Sequence, residues 1–231
     1  MRYFIFPIAL LLLWAPSVFS DSLDSSEEQL SYAIGVKTAE AFKEQGVEIN
    51  PSTFKEGLED ATQGNKLKMS EHQIDSTLLS FRKKSLAELQ DQHDQLAAEN
   101  QKAGVNFLEQ NKRKTGIQMT PSGLQYKIIK PGSGVAPSLK DTVTVDYEGT
   151  LINGKVFDST YRRANPATFP VRGVIRGWQE ALVMMKPGAV WMLYIPSDLA
   201  YGPDGGAGII GPNETLIFKV HLISVQGSKK Y

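Results

Sequence analysis

The chain has 231 residues, 41% hydrophobic and 22% charged, an ordinary globular composition with room for one or two domains. Lys plus Arg and Asp plus Glu both number 25, so nothing in the charge balance points to nucleic acid as a partner. There is no cysteine, which excludes disulfides, thiolate catalysis, cysteine metal sites and a cysteine-linked lipid; an oxidising compartment is compatible with this but not demonstrated by it.

Residues 1–20 read as a signal peptide. Arg2 supplies the positive end, Phe4 to Ala15 is an apolar run of 12 residues broken only by Pro7, and Val18-Phe19-Ser20 has small or β-branched residues where a signal peptidase reads. A membrane span needs about 20 apolar residues, so cleavage after Ser20 is favoured over a retained anchor. Cleavage removes one Arg and no acid, leaving 24 basic against 25 acidic side chains and a formal charge of −1.

Residues 21–65 are expected to be helical. Asp24 with Glu27 has capping-box spacing. Leu30, Ala33, Ile34, Ala41 and Phe42 fall near one face of a helix that Gly46 would stop. Asn50-Pro51 opens a second helix with proline at its first position, and Phe54, Leu58 and Ala61 follow at helical spacing before Gly64. Two helices in about 40 residues cannot enclose a core of their own, so a second copy of the chain is the simplest cover and the segment reads as a dimerisation domain. Ser31, Gly35 and Ala39 recur at four-residue spacing and would let two helices approach, although ordinary helix composition produces the same pattern.

Ser70 with Gln73 is another capping box. From there to Arg113 there is no proline and one glycine, Gly104, in a stretch dense in good helix formers. This long connecting helix, residues 70–113, would span roughly 65 Å. Its apolar positions are sparse: Ile74, Leu78, Phe81, Leu89, Leu96 and Phe107. The heptad from Leu89 to Leu96 is not sustained. The expectation is a first third that packs and a remainder that stands as a solvated strut, with a continuous coiled coil as the alternative.

Lys112 to Pro121 reads as a basic linker, and after it the period changes to two. Leu124, Tyr126 and Ile128 alternate with polar neighbours, as do Val143, Val145 and Tyr147. Val190 to Ile195 and Leu216 to Leu222 alternate in the same way. These are strands of a largely antiparallel sheet, with a tight hairpin at Asn153-Gly154. Gly177 to Met185 is the only stretch here of helical character. A sheet with one short helix on a face makes an α+β domain.

Little proton-transfer chemistry is available. His72 and His93 lie on the polar helix, and His221 is out of phase with Phe218, Val220 and Leu222. No histidine pair has metal-ligand spacing, so no metal site is assigned. No nucleophilic triad is supported. The glycine-rich stretch 202–211 lacks the Lys-Ser/Thr ending of a phosphate loop and precedes a strand. What remains is aromatic: Tyr147, Phe157, Phe169, Trp178, Tyr201 and Phe218. A plain sheet core explains any one of them. A pocket explains why Tyr147 and Tyr201 adjoin glycine-bearing backbone and why Asp158 follows Phe157.

Four motifs occur in order, VDYEGTL (145–151), VFDST (156–160), VIRGW (174–178) and AYG (200–202), followed by TLIF (215–218). Together they resemble the FKBP-type peptidyl-prolyl cis/trans isomerases over residues 120–225, and the layout of the whole chain resembles the macrophage-infectivity-potentiator (Mip-like) branch. The resemblance implies an α+β chain: an N-terminal all-α dimerisation region, a long connecting helix, then at 116–231 an FKBP-like antiparallel sheet wrapped around a short helix. It implies a cleft lined by Tyr147, Phe157, Asp158, Val174, Ile175, Trp178, Tyr201 and Phe218, joined by Phe169, Ile210 and Arg163, with Trp178 beneath the substrate proline. Asp158, Tyr147 and Tyr201 would be catalytic. Arg163 matches an arginine that pairs with the acid, and the Ile175 N–H and Tyr201 hydroxyl would bond substrate carbonyls. No cofactor is implied. Partners would be proline-containing polypeptides, macrolide inhibitors of the family and a second copy through residues 21–65, without nucleic acid. The location would be periplasmic, outer-membrane-associated or secreted in a Gram-negative bacterium. Ala167 stands where an aromatic is common and Gly206 where a histidine is common; both departures would widen the cleft on one side and bear on flanking-residue preference and inhibitor contacts more than on the activity itself.

Shape alone can run such a reaction. The barrier to X–Pro rotation, about 18–20 kcal/mol, comes from lost amide resonance, and no bond breaks. A pocket that prefers the twisted amide lowers it by differential binding, and a thousand-fold acceleration requires only about 4 kcal/mol. Asp158 is therefore given an electrostatic and orienting role, not that of a base. The competing readings are a chaperone in which catalysis is incidental and a surface protein that contacts a host.

Overall fold

The computed structural model describes residues 23–227; the expected signal peptide lies outside them. The chain divides between Ile74 and Asp75 into two compact units.

In the first unit, α1 (Ser26–Glu44) is capped by Ser25, one residue later than expected. Asp24/Glu27 and Ser25/Glu28 both have the box spacing. With Ser25 as cap, the Glu28 carboxylate accepts from two backbone N–H groups, Asp24 at 3.1 Å and Ser25 at 3.0 Å, while the Ser25 hydroxyl accepts from Glu28 N–H at 3.1 Å. α2 (Pro51–Gln63) begins where the Asn50 side chain accepts from Thr53 N–H and ends on Gly64, whose φ of 70° is the left-handed stop. Phe42 meets Phe54 edge to face at 6.0 Å. Neither helix has a buried residue, and Leu30, Ile34, Phe54 and Leu58 are 44–61% exposed.

Helix α3 (Glu71–Asn111) is continuous over 41 residues and opens on the expected Ser70–Gln73 box. The expectation of a packed first third and a solvated remainder holds only for the middle of the helix: within one chain the first third is exposed as well, and the far end is packed. Leu78, Leu79, Leu86 and Leu89 are 59–65% exposed, whereas the last turns dock on the sheet. Gly104 and Asn111 are buried there. The Phe107 ring lies 6.0 Å from that of Tyr194. Asn111 donates to Gln125 Oε1 at 3.0 Å, and Gln125 donates to the Leu108 carbonyl at 2.9 Å. A Cβ on Gly104 would lie 2.3 Å from Thr215 Oγ1, so only glycine permits this approach. Small and polar residues make the seam, and a count of apolar positions passes over it.

The sheet is antiparallel throughout, in the order β1-β2-β6-β7-β3-β4, with β5 also paired to β3. Its strands are β1 (Ile117–Met119), β2 (Gln125–Lys130), β3 (Thr142–Leu151), β4 (Val156–Ser159), β5 (Ala167–Pro170), β6 (Val190–Ile195) and β7 (Leu216–Gln226). β1 lies inside the expected linker; three residues are too few for alternation to register. The expected strands form, and the turn after β3 places Gly154 at φ 84° with its N–H bonded to the Leu151 carbonyl at 2.9 Å. One turn of helix, α4 (Thr160–Arg163), follows β4. α5 (Arg176–Leu182) covers a sheet face, shorter than the expected 177–185, and buries Trp178, Ala181 and Leu182. Gly177 lets α5 come close: a Cβ there would be 2.5 Å from Ile195 Cγ2. The core between them is Val143, Val145, Leu182, Met185, Leu193, Ile195, Leu216, Val220 and Leu222, all fully buried. Among the described residues no helix is long and apolar enough to cross a membrane.

Candidate active site

Four strands and a helix bring one aromatic cluster together. Trp178, the third residue of α5, is 4% exposed and stands edge-on to Tyr147 of β3 at 5.1 Å, Phe218 of β7 at 5.2 Å and Phe169 of β5 at 6.3 Å. Phe157 of β4 meets Phe218 edge to face at 5.4 Å. These near-perpendicular pairings place positive ring edges on negative faces. Phe157 and Phe169 are only half-buried, so the cluster opens on their side. Gly149 makes room for it: a Cβ there would lie 2.6 Å from the Phe157 ring and 2.8 Å from that of Phe218.

At the lip the Tyr147 hydroxyl donates to one Asp158 oxygen and Arg163 pairs with the other. Arg163 also donates to Tyr147 Oη at 3.3 Å. The single turn of α4 carries Arg163 back over Asp158. Burial pushes the Asp158 carboxyl up, but bonds from Tyr147 and Arg163 outweigh it and hold it below the ordinary aspartate value. Burial and then the Asp158 bond raise Tyr147. The Asp158 and Tyr147 bonds raise Arg163. At neutral pH the three are a carboxylate, a phenol and a cation, none ready to give or take a proton. Thr160, fully buried, accepts the Tyr147 N–H at 2.9 Å and sits 3.0 Å from Asp146 Oδ1, fixing β3 against α4. Sequence reasoning passed over Thr160 and Gly149 although both lie inside its motifs.

Of the other predicted residues, Val174, Ile175 and Ile210 pack with the same hydrophobic core. Val174 and Ile175 are half-buried against the core just before α5. The Val174 carbonyl accepts from Gln179 at 2.7 Å. Tyr201 is 43% exposed after a 3-10 turn (Ser197–Leu199), and no ring contact joins it to the Trp178 cluster. Ile210 is buried, and Gly206 stands between the two: its N–H donates to the Ile210 carbonyl at 2.9 Å, and a Cβ on it would be 3.2 Å from the Tyr201 ring. Neither the Ile175 N–H nor the Tyr201 hydroxyl has a hydrogen-bond partner among the described residues. Ala167, half-buried, pairs with Val145.

Residues 134–223 match the family of FKBP-type peptidyl-prolyl cis-trans isomerase, and residues 27–128 match the domain amino terminal to FKBP-type peptidyl-prolyl isomerase. The peptidyl-prolyl cis-trans isomerase Mip of Coxiella burnetii is 49% identical over 216 residues, covering 94% of both chains. The chain belongs to the FKBP-type peptidyl-prolyl cis-trans isomerases. As an FKBP-type isomerase it has a second relative, the outer membrane protein MIP of Legionella longbeachae, 49% identical over 89% of this chain and 88% of that one. The crystal structure of FkpA from Escherichia coli superposes with a TM-score of 0.73 at 34% identity, covering 90% of this chain and all of that one. The α+β architecture with an N-terminal helical part is thus common to this FKBP-type chain and that structure.

Proposed function

We propose that this isomerase is exported and accelerates rotation about X–Pro bonds in polypeptides, assisting their folding. Asp158, Tyr147 and Tyr201 act on the twisted amide, and Phe157, Phe169, Val174, Ile175, Trp178, Ile210, Phe218 and Arg163 form the cleft. The observation that carries the site is the Asp158–Tyr147–Arg163 network at the lip of the Trp178 cluster. The proline ring sits over Trp178 among apolar edges. Twisting the amide withdraws the nitrogen lone pair from resonance and lessens its charge separation, so a dry site favours the twisted form. The Ile175 N–H and Tyr201 hydroxyl, without other partners among the described residues, hold substrate carbonyls. Macrolide inhibitors of the family occupy the same cleft.

The chain assembles as a homodimer through residues 21–65; the support is the apolar faces of α1 and α2, which bury nothing within one chain. Export to the periplasm, outer membrane or medium, where host contact becomes possible, rests on residues 1–20 and on the relative named an outer membrane protein. A chaperone role is a second reading, favoured by exposed Leu78, Leu79, Phe81, Leu86 and Leu89 on α3.

A protease-coupled proline-peptide assay tests the enzyme reading. Tyr201→Phe is expected to lower kcat/KM about three- to tenfold, the worth of one hydrogen bond; an unchanged value removes Tyr201 from the catalytic set. The mass in solution of the chain from residue 21 is expected to be that of a dimer, and from residue 66 that of a monomer. A monomer in both cases ends the dimer proposal.

A further inference from the structure

We infer that Asn100 and Asn213 are positioning residues of the cleft, through which the last turns of α3 hold the loop that presents Tyr201 and Ile210. The inference rests on the proposed role of those two residues. Their loop runs from the end of β6 to the start of β7 and contains Gly202, Gly205, Gly206, Gly208 and Gly211, a composition that leaves a free loop many conformations.

On its cleft side the loop is one piece. The Gly206 N–H bond to Ile210 O closes it, and a Cβ on Gly206 would meet both the Tyr201 ring and Ile210 Cβ, the latter at 3.4 Å. Gly205, at φ 71°, packs so tightly that a Cβ would lie 2.7 Å from Ile210 O. On its other side the loop is tied to α3. Asn100 Nδ2 donates to Pro212 O at 2.9 Å, and Asn213 Nδ2 donates to Ala97 O at 3.3 Å. The Asn213 N–H returns to Gly202 O at 2.8 Å, so the tie reaches the residue next to Tyr201. Asn213 is at φ 54°, a left-handed conformation that non-glycine residues keep where the surroundings determine it. Gly104 against Thr215 continues the same seam at the loop's end. Fixing the loop before substrate arrives removes an ordering cost from binding.

Two variants of the full mature chain test this. Asn100→Ala deletes the bond to Pro212. Asn213→Gly deletes the bond to Ala97 while keeping the left-handed backbone accessible, so it still carries the test if Asn100→Ala folds poorly. Each is expected to raise KM for a proline tetrapeptide about three- to tenfold with kcat little changed, since a loop-ordering bond acts on ground and transition states alike. Hydrogen exchange should quicken in residues 202–213 and stay slow in β6 and β7. Unchanged KM overturns the inference, and so does faster exchange with unchanged KM, which would make the tie structural only. Tyr201→Phe in the same assay keeps the two readings apart. If it lowers kcat/KM while the asparagine variants match wild type, the positioning role alone fails; if it too is silent, the reading of Tyr201 fails.

Discussion

Replacing Asp158 by alanine is expected to lower kcat/KM about tenfold or more while the chain still folds. The change strips the Tyr147 hydroxyl and the Arg163 guanidinium of their shared acceptor. Hydrogen bonds to a charged group contribute about 1.5–3 kcal/mol, and each 1.4 kcal/mol is about tenfold in rate. The Asp158 side chain is 36% exposed, so water re-solvates the partners and the lower end applies. Asp158→Asn keeps the shape and loses the charge. It should fall with the alanine variant, and turnover equal to wild type would show that shape alone matters. The pH profile is part of the same expectation. A carboxyl held below its ordinary value stabilises the folded network above the unfolded aspartate range and loses that contribution as pH falls through the lowered value. Tyr147 is raised and stays a phenol through the alkaline range in which an ordinary tyrosine begins to ionise. kcat/KM should therefore be flat from about pH 5 to pH 9. A bell centred near neutrality would require a proton-transfer group that this site does not hold.

What could be read from the sequence follows how each feature is encoded. Val143, Val145 and Tyr147 alternate with half-buried neighbours along β3, and that pattern alone implies a strand with one buried face. The Asp158–Arg163 pair came from motif order, because the turn of α4 that folds Arg163 back has no periodic signature. The α3 seam was illegible for the opposite reason. Ala97, Asn100, Gly104 and Asn111 lie at helical spacing, but their value is small size and hydrogen bonding, which a hydropathy pattern discounts. Gly149 is similar: its function is the space it leaves for two rings, visible only once Phe157 and Phe218 are placed. The cap at Ser25 shows the limit of local rules, since two overlapping boxes fit and the number of N–H groups Glu28 can satisfy decides between them.

Trp178→Ala should be the most damaging single change at the site. Trp178 is almost fully buried and is the common partner of Tyr147, Phe169 and Phe218. Truncating a buried tryptophan costs about 3–5 kcal/mol through lost contacts and the cavity left behind, readable as a lower urea midpoint at unchanged slope. The Trp178 Nε1–H has no partner among the described residues, so no hydrogen bond seen there is lost with the ring and the loss is one of packing. Trp178→Leu refills part of the volume and separates folding from catalysis. It should cost about 1–3 kcal/mol, fold, and still lose about tenfold in kcat/KM because the flat floor under the proline is gone. A leucine variant that is stable and fully active would make the indole a core residue and no more. A stable but slow one assigns the ring to the cleft, because by then the core has been repaired and only the surface offered to the substrate differs.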